Sequence, residues 1–159
     1  MRLDHVVESV VHAVESQAAE AGLTLTAAVQ PDLWVQGDPD RLQQVVMNLL
    51  TNAIKFTPEG GSIAVRVGAG DGGRVTGDGG GGEESAGAHD TPPDSSPVPR
   101  PPSPVPARIV VEDTGVGIDR ETLRRLFRVF QQGHVAGRTQ QGLGLGLALV
   151  KGIVEAHGG

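Results

Sequence analysis

The chain has 159 residues, with 13 Lys and Arg against 19 Asp and Glu, and this net charge of −6 disfavours a nucleic-acid-binding surface. Its length suits one domain with its own core, and the absence of cysteine excludes disulfides and thiolate zinc sites. No apolar run approaches the roughly 20 residues of a membrane span, and the first ten residues lack the apolar block of a secretory signal. We therefore expect a soluble, cytoplasmic domain without membrane contact.

Glycine and proline are concentrated in one segment. Residues 68–106 are first glycine-rich and then proline-rich and contain almost no large apolar side chain. This composition predicts a disordered insertion within a single domain spanning residues 1–159. A passive surface loop explains it, because closure entropy grows slowly with loop length. A docking role for "PRPPSPVP" as a polyproline II segment is the alternative.

Apolar spacing predicts the elements of the first third of the chain. Valines at helical spacing indicate an amphipathic helix over residues 3–21, and alternation then predicts a half-buried strand over 23–29, with Leu23, Leu25, Ala27 and Val29 on one face. The sequence "LWVQ" at 33–36 is interpreted as a second, shorter strand. Asp38 and Pro39 form a strong helix start, and that helix is expected to end at Phe56, before Thr57-Pro58.

The remaining elements follow a Gly60-Gly61 turn. Alternating residues predict strands at 62–67 and 107–113, which we expect to be neighbours joined through the insertion. Asp119 is predicted to cap a short helix that contains Leu123, Leu126 and Phe127, and the last helix is expected to begin at the glycines of "GLGLG".

The helix over 39–56 has a polar stripe of unusual composition. Its apolar face comprises Leu42, Val45, Val46, Leu49, Leu50, Ala53 and Phe56, and its polar stripe comprises Arg41, Gln44, Asn48, Thr51, Asn52 and Lys55. A polar stripe is often only a solvated face. Here Asn48 and Asn52 lie one turn apart in line with Lys55, although asparagine is a poor helix former. Amide oxygens suit Mg²⁺ and an ammonium group suits phosphate, so the stripe is a candidate nucleotide site.

A second candidate cluster is "VEDTGVGID" at residues 111–119. The predicted strand ends in Asp113, and the chain turns at once through Gly115 and Gly117. A carboxylate at a strand end can accept a hydrogen bond from an amino group such as that of adenine, while glycines let the backbone approach a flat base. An ordinary turn explains Asp-Thr-Gly equally well.

Two further stretches are weaker when taken alone. Phe127 and Phe130 in "LFRVFQQG" have helical spacing and would serve a core as readily as a cofactor. Gly142, Gly144 and Gly146 sacrifice helix stability but leave backbone amides exposed at a helix N-terminus, where phosphate binds; a hinge or a close packing contact remains an alternative. The stretch matches neither the Walker pattern nor the dinucleotide fingerprint.

Together and in order, "DPDRLQQVVMNLLTNAIKFTP", "VEDTGVGID", "LFRVFQQG" and "GLGLGLALVKGIVEAHGG" resemble the four nucleotide-binding boxes of sensor histidine kinases. The resemblance implies the Bergerat fold, an α+β two-layer sandwich with a mixed sheet packed on helices. It further implies an ATP-binding catalytic domain that uses Mg²⁺ and transfers the γ-phosphoryl group of ATP to a histidine. Its partners would be a phosphoacceptor histidine domain and a response regulator receiver domain, with a homodimer in the full-length protein.

The resemblance also implies roles for single residues. Asn52 matches the Mg²⁺ ligand, Asn48 lines the same pocket, Lys55 approaches the phosphates, and Arg138, in a lid at 131–142, would reach the γ-phosphate. Asparagine at position 48, where hydrolytic relatives carry a glutamate base, favours transfer over hydrolysis. The residues matched to base and phosphate binding are Phe56, Asp113, Gly115, Gly117, Ile118, Phe130, Gly142, Leu143, Gly144, Leu145, Gly146 and Leu147.

The sequence departs from the family pattern in three ways. It contains no phosphoacceptor box, it stops at "AHGG" where family members continue with strands that complete the sheet, and its 68–106 insertion is unusually long. We therefore expect a sheet without its C-terminal strands and an acceptor on another segment. A catalytically silent nucleotide-binding or dimer-partner module, or a hydrolytic ATPase of the same superfamily, remains an alternative.

Overall fold

The computed structural model describes residues 1–70, 105–126 and 146–159. These residues form α1 (Leu3–Glu20), β1 (Thr24–Val29), α2 (Pro39–Phe56), β2 (Ser62–Ala69), β3 (Ala107–Asp113), α3 (Arg120–Arg125) and α4 (Gly146–Ala156). The helices predicted around residues 3–21 and 39–56 are confirmed, as are the strands at 62–67 and 107–113.

The described strands form a mixed sheet in the order β1-β2-β3. β2 pairs with β1 in parallel, with Ala27 opposite Val65, and with β3 in antiparallel, with Val65 opposite Val111. The two strands that flank the insertion are therefore neighbours, as predicted. A mixed sheet packed on helices confirms the expected α+β class.

The main core lies between one face of the sheet and helices α1 and α2. Alternation along β2 turns every second side chain to that face, where Ile63, Val65 and Val67 are buried. The helices contribute apolar residues at helical spacing. Those that are almost fully buried include Val7, Val10 and Val14 of α1 and Val46 and Leu50 of α2. Because α2 packs on both α1 and the sheet, its position is fixed.

Three details differ from the sequence prediction. Ala27 is exposed, because β1 is the last strand on its side of the described sheet. The strand expected at 33–36 is wrong: Trp34 forms a single bridge with Arg2. β2 extends through Ala69, two residues into the predicted insertion. Residues 71–104 lie outside the described residues, so the disorder of that segment remains a prediction.

The buried carboxylate of Asp4, in the first turn of α1, binds the segment that connects β1 to α2. Asp4 is 2% exposed, and its Oδ2 accepts hydrogen bonds from Arg2 Nη2 at 2.5 Å and from the backbone N–H of Asp32 at 3.1 Å. Asp32 has a φ of +55°, a conformation that the surrounding contacts must maintain. The hydrogen bond from Arg2, assisted by that from Asp32, lowers the pKa of Asp4 to about 2, against the desolvation that would raise it.

We expect the charge on Asp4 to make the chain less stable in acid. Its pKa in the folded state lies below the ordinary value of 3.8, so its stabilisation is fully present above about pH 4 and is lost as the pH falls towards 2. The loss should be on the order of 1–2 kcal/mol. The free energy of unfolding in urea, measured between pH 7 and pH 2.5, should fall less steeply for Asp4→Asn than for the wild type. Glu20→Gln, an exposed change on the same helix, should retain the wild-type slope.

Side-chain caps begin α2 and α3 as predicted. Asp38 Oδ1 accepts from the backbone N–H groups of Asp40 and Arg41, and Pro39 occupies the first helical position. Asp119 caps α3 in the same way, and its hydrogen bonds with Thr122 lower its pKa below the ordinary value. Among the helices of the described residues, none has the length and hydropathy needed to cross a membrane.

Candidate functional site

The polar stripe of α2 is only partly a solvated face. Arg41, Gln44 and Lys55 are exposed, whereas Asn48 and Asn52 are half-buried. Thr51 is also half-buried, but its hydroxyl donates to the Met47 carbonyl at 2.8 Å and so serves the helix itself. The two asparagines therefore lie where a second element covers the stripe.

That second element is α4. A Cβ placed on Gly146 would lie 3.2 Å from Asn48 Oδ1 and 3.9 Å from Asn52 Nδ2. A Cβ at position 146 would be tight against Asn48 and in ordinary van der Waals contact with Asn52. The described start of the last helix thus lies beside the asparagine pair. Such a close packing contact is the alternative that the sequence left open for these glycines, and phosphate binding there remains a prediction.

The turn that follows β3 at residues 113–117, called the Asp113 turn, packs on the C-terminal end of α2. Asp113 Oδ1 accepts from the backbone N–H of Gly115 at 2.9 Å, and the N–H of Val116 donates to the Phe56 carbonyl at 3.2 Å. A Cβ on Gly115 would lie 2.6 Å from that carbonyl oxygen and 2.5 Å from Asp113 Oδ1. Only glycine fits there, and the turn is consequently fixed beside the last turn of α2.

Two threonines that the sequence reasoning did not single out hold this junction together. Thr114 Oγ1 accepts from the backbone N–H of Ser62 at 2.9 Å, which ties the turn to the start of β2. Thr57 is buried and donates to the Ala53 carbonyl at 2.7 Å. A Cβ on Gly61 would lie 2.3 Å from Thr57 Cγ2 and 2.9 Å from Thr114 Oγ1. In the sequence, Thr114 directly precedes Gly115 and Thr57 precedes Pro58, and these positions were the available signal.

The last turn of α2 carries a cation next to an aromatic ring. Lys55 Nζ lies 5.2 Å from the centroid of the Phe56 ring, within the range of a cation–π contact. Phe56 is half-buried and Lys55 is exposed. The Lys55 ammonium group and the Phe56 ring thus lie in the last turn of α2, which follows the asparagine pair and contacts the Asp113 turn.

Other candidate residues are less tightly placed or lie outside the described residues. Gly117 has a φ of +73° with open space around it, and Ile118 is half exposed, at 52%. Leu147 is half-buried in α4. The predicted lid and the remaining candidates all fall in residues 127–145, which are outside the described residues: Phe130, Arg138, Gly142, Leu143, Gly144 and Leu145, together with Phe127 of the short predicted helix.

We expect Gly115→Ala to disrupt the junction far more than Gly117→Ala. The first change places a Cβ against two oxygen atoms, one of them in the backbone of α2, whereas the second adds only the cost of a left-handed conformation, about 1–2 kcal/mol. Urea unfolding and calorimetric titration with a non-hydrolysable ATP analogue would compare them. Equal affinity and stability in the two variants would contradict the tight placement of the turn.

The side-chain amides of Asn48 and Asn52 offer neutral oxygen atoms beside the described start of α4. The described residues contain no group of three or more His, Asp or Glu that could hold a metal ion alone. The asparagine amides supply hard neutral oxygens on a fixed helix, which fits a Mg²⁺ ion whose other ligands come from a bound phosphate. Asp113, at the far end, offers an exposed carboxylate for a hydrogen-bond donor.

Comparison with known proteins agrees with this arrangement. The family model described as "Histidine kinase-, DNA gyrase B-, and HSP90-like ATPase" matches residues 37–85 and 102–159, which is more than half of the chain. The chain belongs to this family. The match includes α2, the Asp113 turn and α4, and within the family this chain is an ATP-binding catalytic domain of the histidine kinase type.

Several of the proteins that this chain resembles are named as histidine kinases. Histidine protein kinase DivJ of Caulobacter vibrioides is 33% identical over 96% of this chain and 20% of its own length. Among solved structures, the mycobacterial sensor histidine kinase MprB aligns with a TM-score of 0.69 at 26% identity, over 99% of this chain and 80% of that one. Full-length ShkA in complex with AMPPNP aligns with a TM-score of 0.66 at 27% identity, over 99% of this chain and 26% of the ShkA chain. This catalytic domain thus spans about a fifth of DivJ.

Proposed function

We propose that this domain binds ATP with Mg²⁺ and transfers its γ-phosphoryl group to a histidine on a separate phosphoacceptor domain. The observation that carries the proposal is the short distance between Gly146, at the described start of α4, and the side-chain amides of Asn48 and Asn52. ShkA, a structural neighbour, was solved with AMPPNP, a nucleotide of the same class.

Each element has a part in holding the nucleotide. The carboxylate of Asp113 accepts from the adenine amino group, and Gly115 and Gly117 let the backbone approach the base, with Ile118 and Phe56 alongside. Asn52 is the proposed Mg²⁺ ligand and Asn48 lines the same pocket. When bound, Mg²⁺ neutralises negative charge on the phosphate oxygens. Lys55 and backbone amides of the glycine stretch that ends at Gly146 and Leu147 complete the phosphate site, to which Arg138 would add a further positive charge.

The proposed reaction needs positioning more than acid–base chemistry. A lone pair on the acceptor imidazole nitrogen forms the P–N bond while the bond between the γ-phosphorus and the bridging oxygen breaks, and ADP leaves with that electron pair. No water has to be deprotonated. Asn48, whose amide cannot take a proton, suits this transfer better than hydrolysis.

The wider setting is part of the same proposal. The acceptor histidine lies on a phosphoacceptor domain, and the phosphoryl group passes on to a response regulator receiver domain. The full-length protein is a homodimer that acts in the cytoplasm, and this domain contacts neither nucleic acid nor the membrane. The net charge of −6 supports the exclusion of nucleic acid.

The decisive experiment mixes the chain with a separate phosphoacceptor domain and γ-labelled ATP. We expect magnesium-dependent label on the acceptor, stable to base and labile to acid as a phosphorus–nitrogen bond should be, and no label on an acceptor that lacks its histidine. Steady release of phosphate without acceptor would replace the proposal with a hydrolytic ATPase. Nucleotide binding without transfer would indicate a silent module, and no binding to the folded chain would reject the nucleotide site.

A further inference from the structure

Among the described residues, α4 is held by less apolar packing than the other long helices. Val150 and Ile153 bury themselves against Val45 of α2, with Leu49 and Val154 packed partly around them. This cluster is separate from the main core beneath α1, α2 and the sheet. Since so few apolar contacts are involved, polar contacts at the ends of α4 have a large influence on its position.

One such contact is made by the imidazole of His157, just after the C-terminus of α4. Nδ1 lies 2.7 Å from the Ile153 carbonyl oxygen, which can only accept, so Nδ1 carries the hydrogen. Nε2 is then an acceptor, and it receives the backbone N–H of Asp38 at 3.1 Å. Asp38 is the N-cap of α2, so the ring joins the end of one helix to the beginning of the other across 119 residues of sequence.

The surrounding glycines fit this contact. A Cβ on Gly37 would lie 2.9 Å from His157 Cδ2, so glycine leaves room for the ring. Gly158 has a φ of +81°, and the N–H of Gly159 returns to the Val154 carbonyl at 3.0 Å, which ends α4 in a fixed geometry. The two glycines after His157 therefore end α4 at a defined point, and Gly37 leaves space for the ring.

The two ends of α4 meet corresponding points on α2. Gly146 and His157, which directly follows α4, are separated by about 16 Å along the helix axis. Asn48 and Asp38, the N-cap of α2, are separated by about 15 Å. The helices run antiparallel, with the ring against Asp38 at one end and Gly146 against Asn48 at the other. A swing or slip of α4 at His157 would therefore move Gly146 relative to the asparagine pair.

We propose that His157 is a positioning residue, which sets the register of α4 on α2 and thereby places Gly146 beside Asn48 and Asn52. This inference rests on the proposed nucleotide site, because register matters only if phosphate is bound between the two helices. His157 itself does not contact the nucleotide. It acts through the backbone of α4.

Two substitutions separate its two hydrogen bonds. In His157→Asn, the short amide can still donate to Ile153 but cannot reach Asp38. In His157→Gln, the longer side chain can place an amide oxygen where Nε2 accepts from the Asp38 N–H. We expect the affinity for the Mg²⁺ complex of a non-hydrolysable ATP analogue, measured by calorimetry, to fall about tenfold in the Asn variant, a loss of about 1.4 kcal/mol. It should return to within about threefold of wild type in the Gln variant.

Two controls distinguish positioning from general stability. Val10→Ala removes buried volume beneath α1, away from α4, and should lower the melting temperature without changing nucleotide affinity. Hydrogen exchange of α4 in the nucleotide-free chain should show lost protection in the Asn variant and restored protection in the Gln variant.

The outcomes are distinguishable from those for the proposed function. If wild type binds nucleotide and Asn52→Ala loses it, but His157→Asn binds normally or Gln fails to rescue, the inference about His157 is wrong and the nucleotide site stands. If Val10→Ala weakens binding as much as His157→Asn does, the ring is only a stabilising contact. If wild type binds no nucleotide, the proposed site fails and the inference falls with it, and the exchange experiment then reports only whether His157 holds α4.

Discussion

Asn52→Ala should remove the magnesium dependence of ATP binding while leaving the fold intact. Asn52 is half-buried on α2 beside Gly146, and its amide is the proposed metal ligand. Alanine is the better helix former and opens no cavity in the main core, so the free energy of unfolding should change little. The affinity for ATP in the presence of Mg²⁺ should fall by about 10- to 100-fold, which corresponds to a loss of about 1.4–2.8 kcal/mol of binding free energy.

The sharpest readout is the ratio of affinities with and without the metal. Wild type should bind ATP more tightly with Mg²⁺ than with a chelator, and Asn52→Ala should show similar affinities in both. Gln44→Ala is the matched control, because Gln44 lies two turns earlier on the same stripe but is exposed. A magnesium effect of wild-type size in Asn52→Ala would remove this residue from the metal site.

Local signals in the sequence were sufficient for most elements. Asp38 and Pro39 fix the start of α2 because a side-chain cap and a preset φ act within one turn. Alternation identified β2 because its inner face is fully buried. The same reasoning misplaced Ala27, since alternation alone cannot tell an outer strand from a covered one.

Long-range contacts explain what the sequence could not supply. The stretch 33–36 alternates like a strand, but its backbone pairs only briefly with the start of the chain, and the Trp34 carbonyl accepts one further hydrogen bond, from the N–H of Val105. The asparagine pair was identified from its unfavourable helix propensity, yet only the structure shows that Gly146 covers it. The contact of His157 with Asp38 joins residues far apart in sequence, and no local pattern announces such a partner.

The hydrogen bonds of the polar stripe distinguish candidate ligands from structural residues, which composition alone could not do. Thr51 has the same half-buried environment as the asparagines but uses its hydroxyl on the helix backbone. Its inclusion in the stripe therefore says nothing about a ligand. Conversely, Thr114 looked like an ordinary turn residue, although its bonds to Ser62 hold the Asp113 turn in place.

Asp113→Asn should weaken binding of ATP and narrow its advantage over GTP. The amide oxygen of asparagine can still accept from Gly115, so the turn should survive. On the side proposed to face the base, a donor NH₂ would replace an acceptor oxygen and oppose the amino group of adenine, whereas the carbonyl oxygen of guanine would accept from it. An unpaired polar contact of this kind costs about 1–3 kcal/mol, which corresponds to roughly 5- to 150-fold in affinity.

The adjacent residue supplies the control for this change. Glu112 points to the opposite face of β3, where it pairs with Arg66, and Glu112→Gln should leave both nucleotide affinities unchanged. Competition of ATP and GTP for a fluorescent nucleotide analogue would measure the preference in all three proteins. If Asp113→Asn retains the wild-type preference for ATP with an unchanged melting temperature, the carboxylate does not read the base. Adenine recognition would then have to come from groups other than this strand end, and the glycines of the turn would be needed only for its packing on α2.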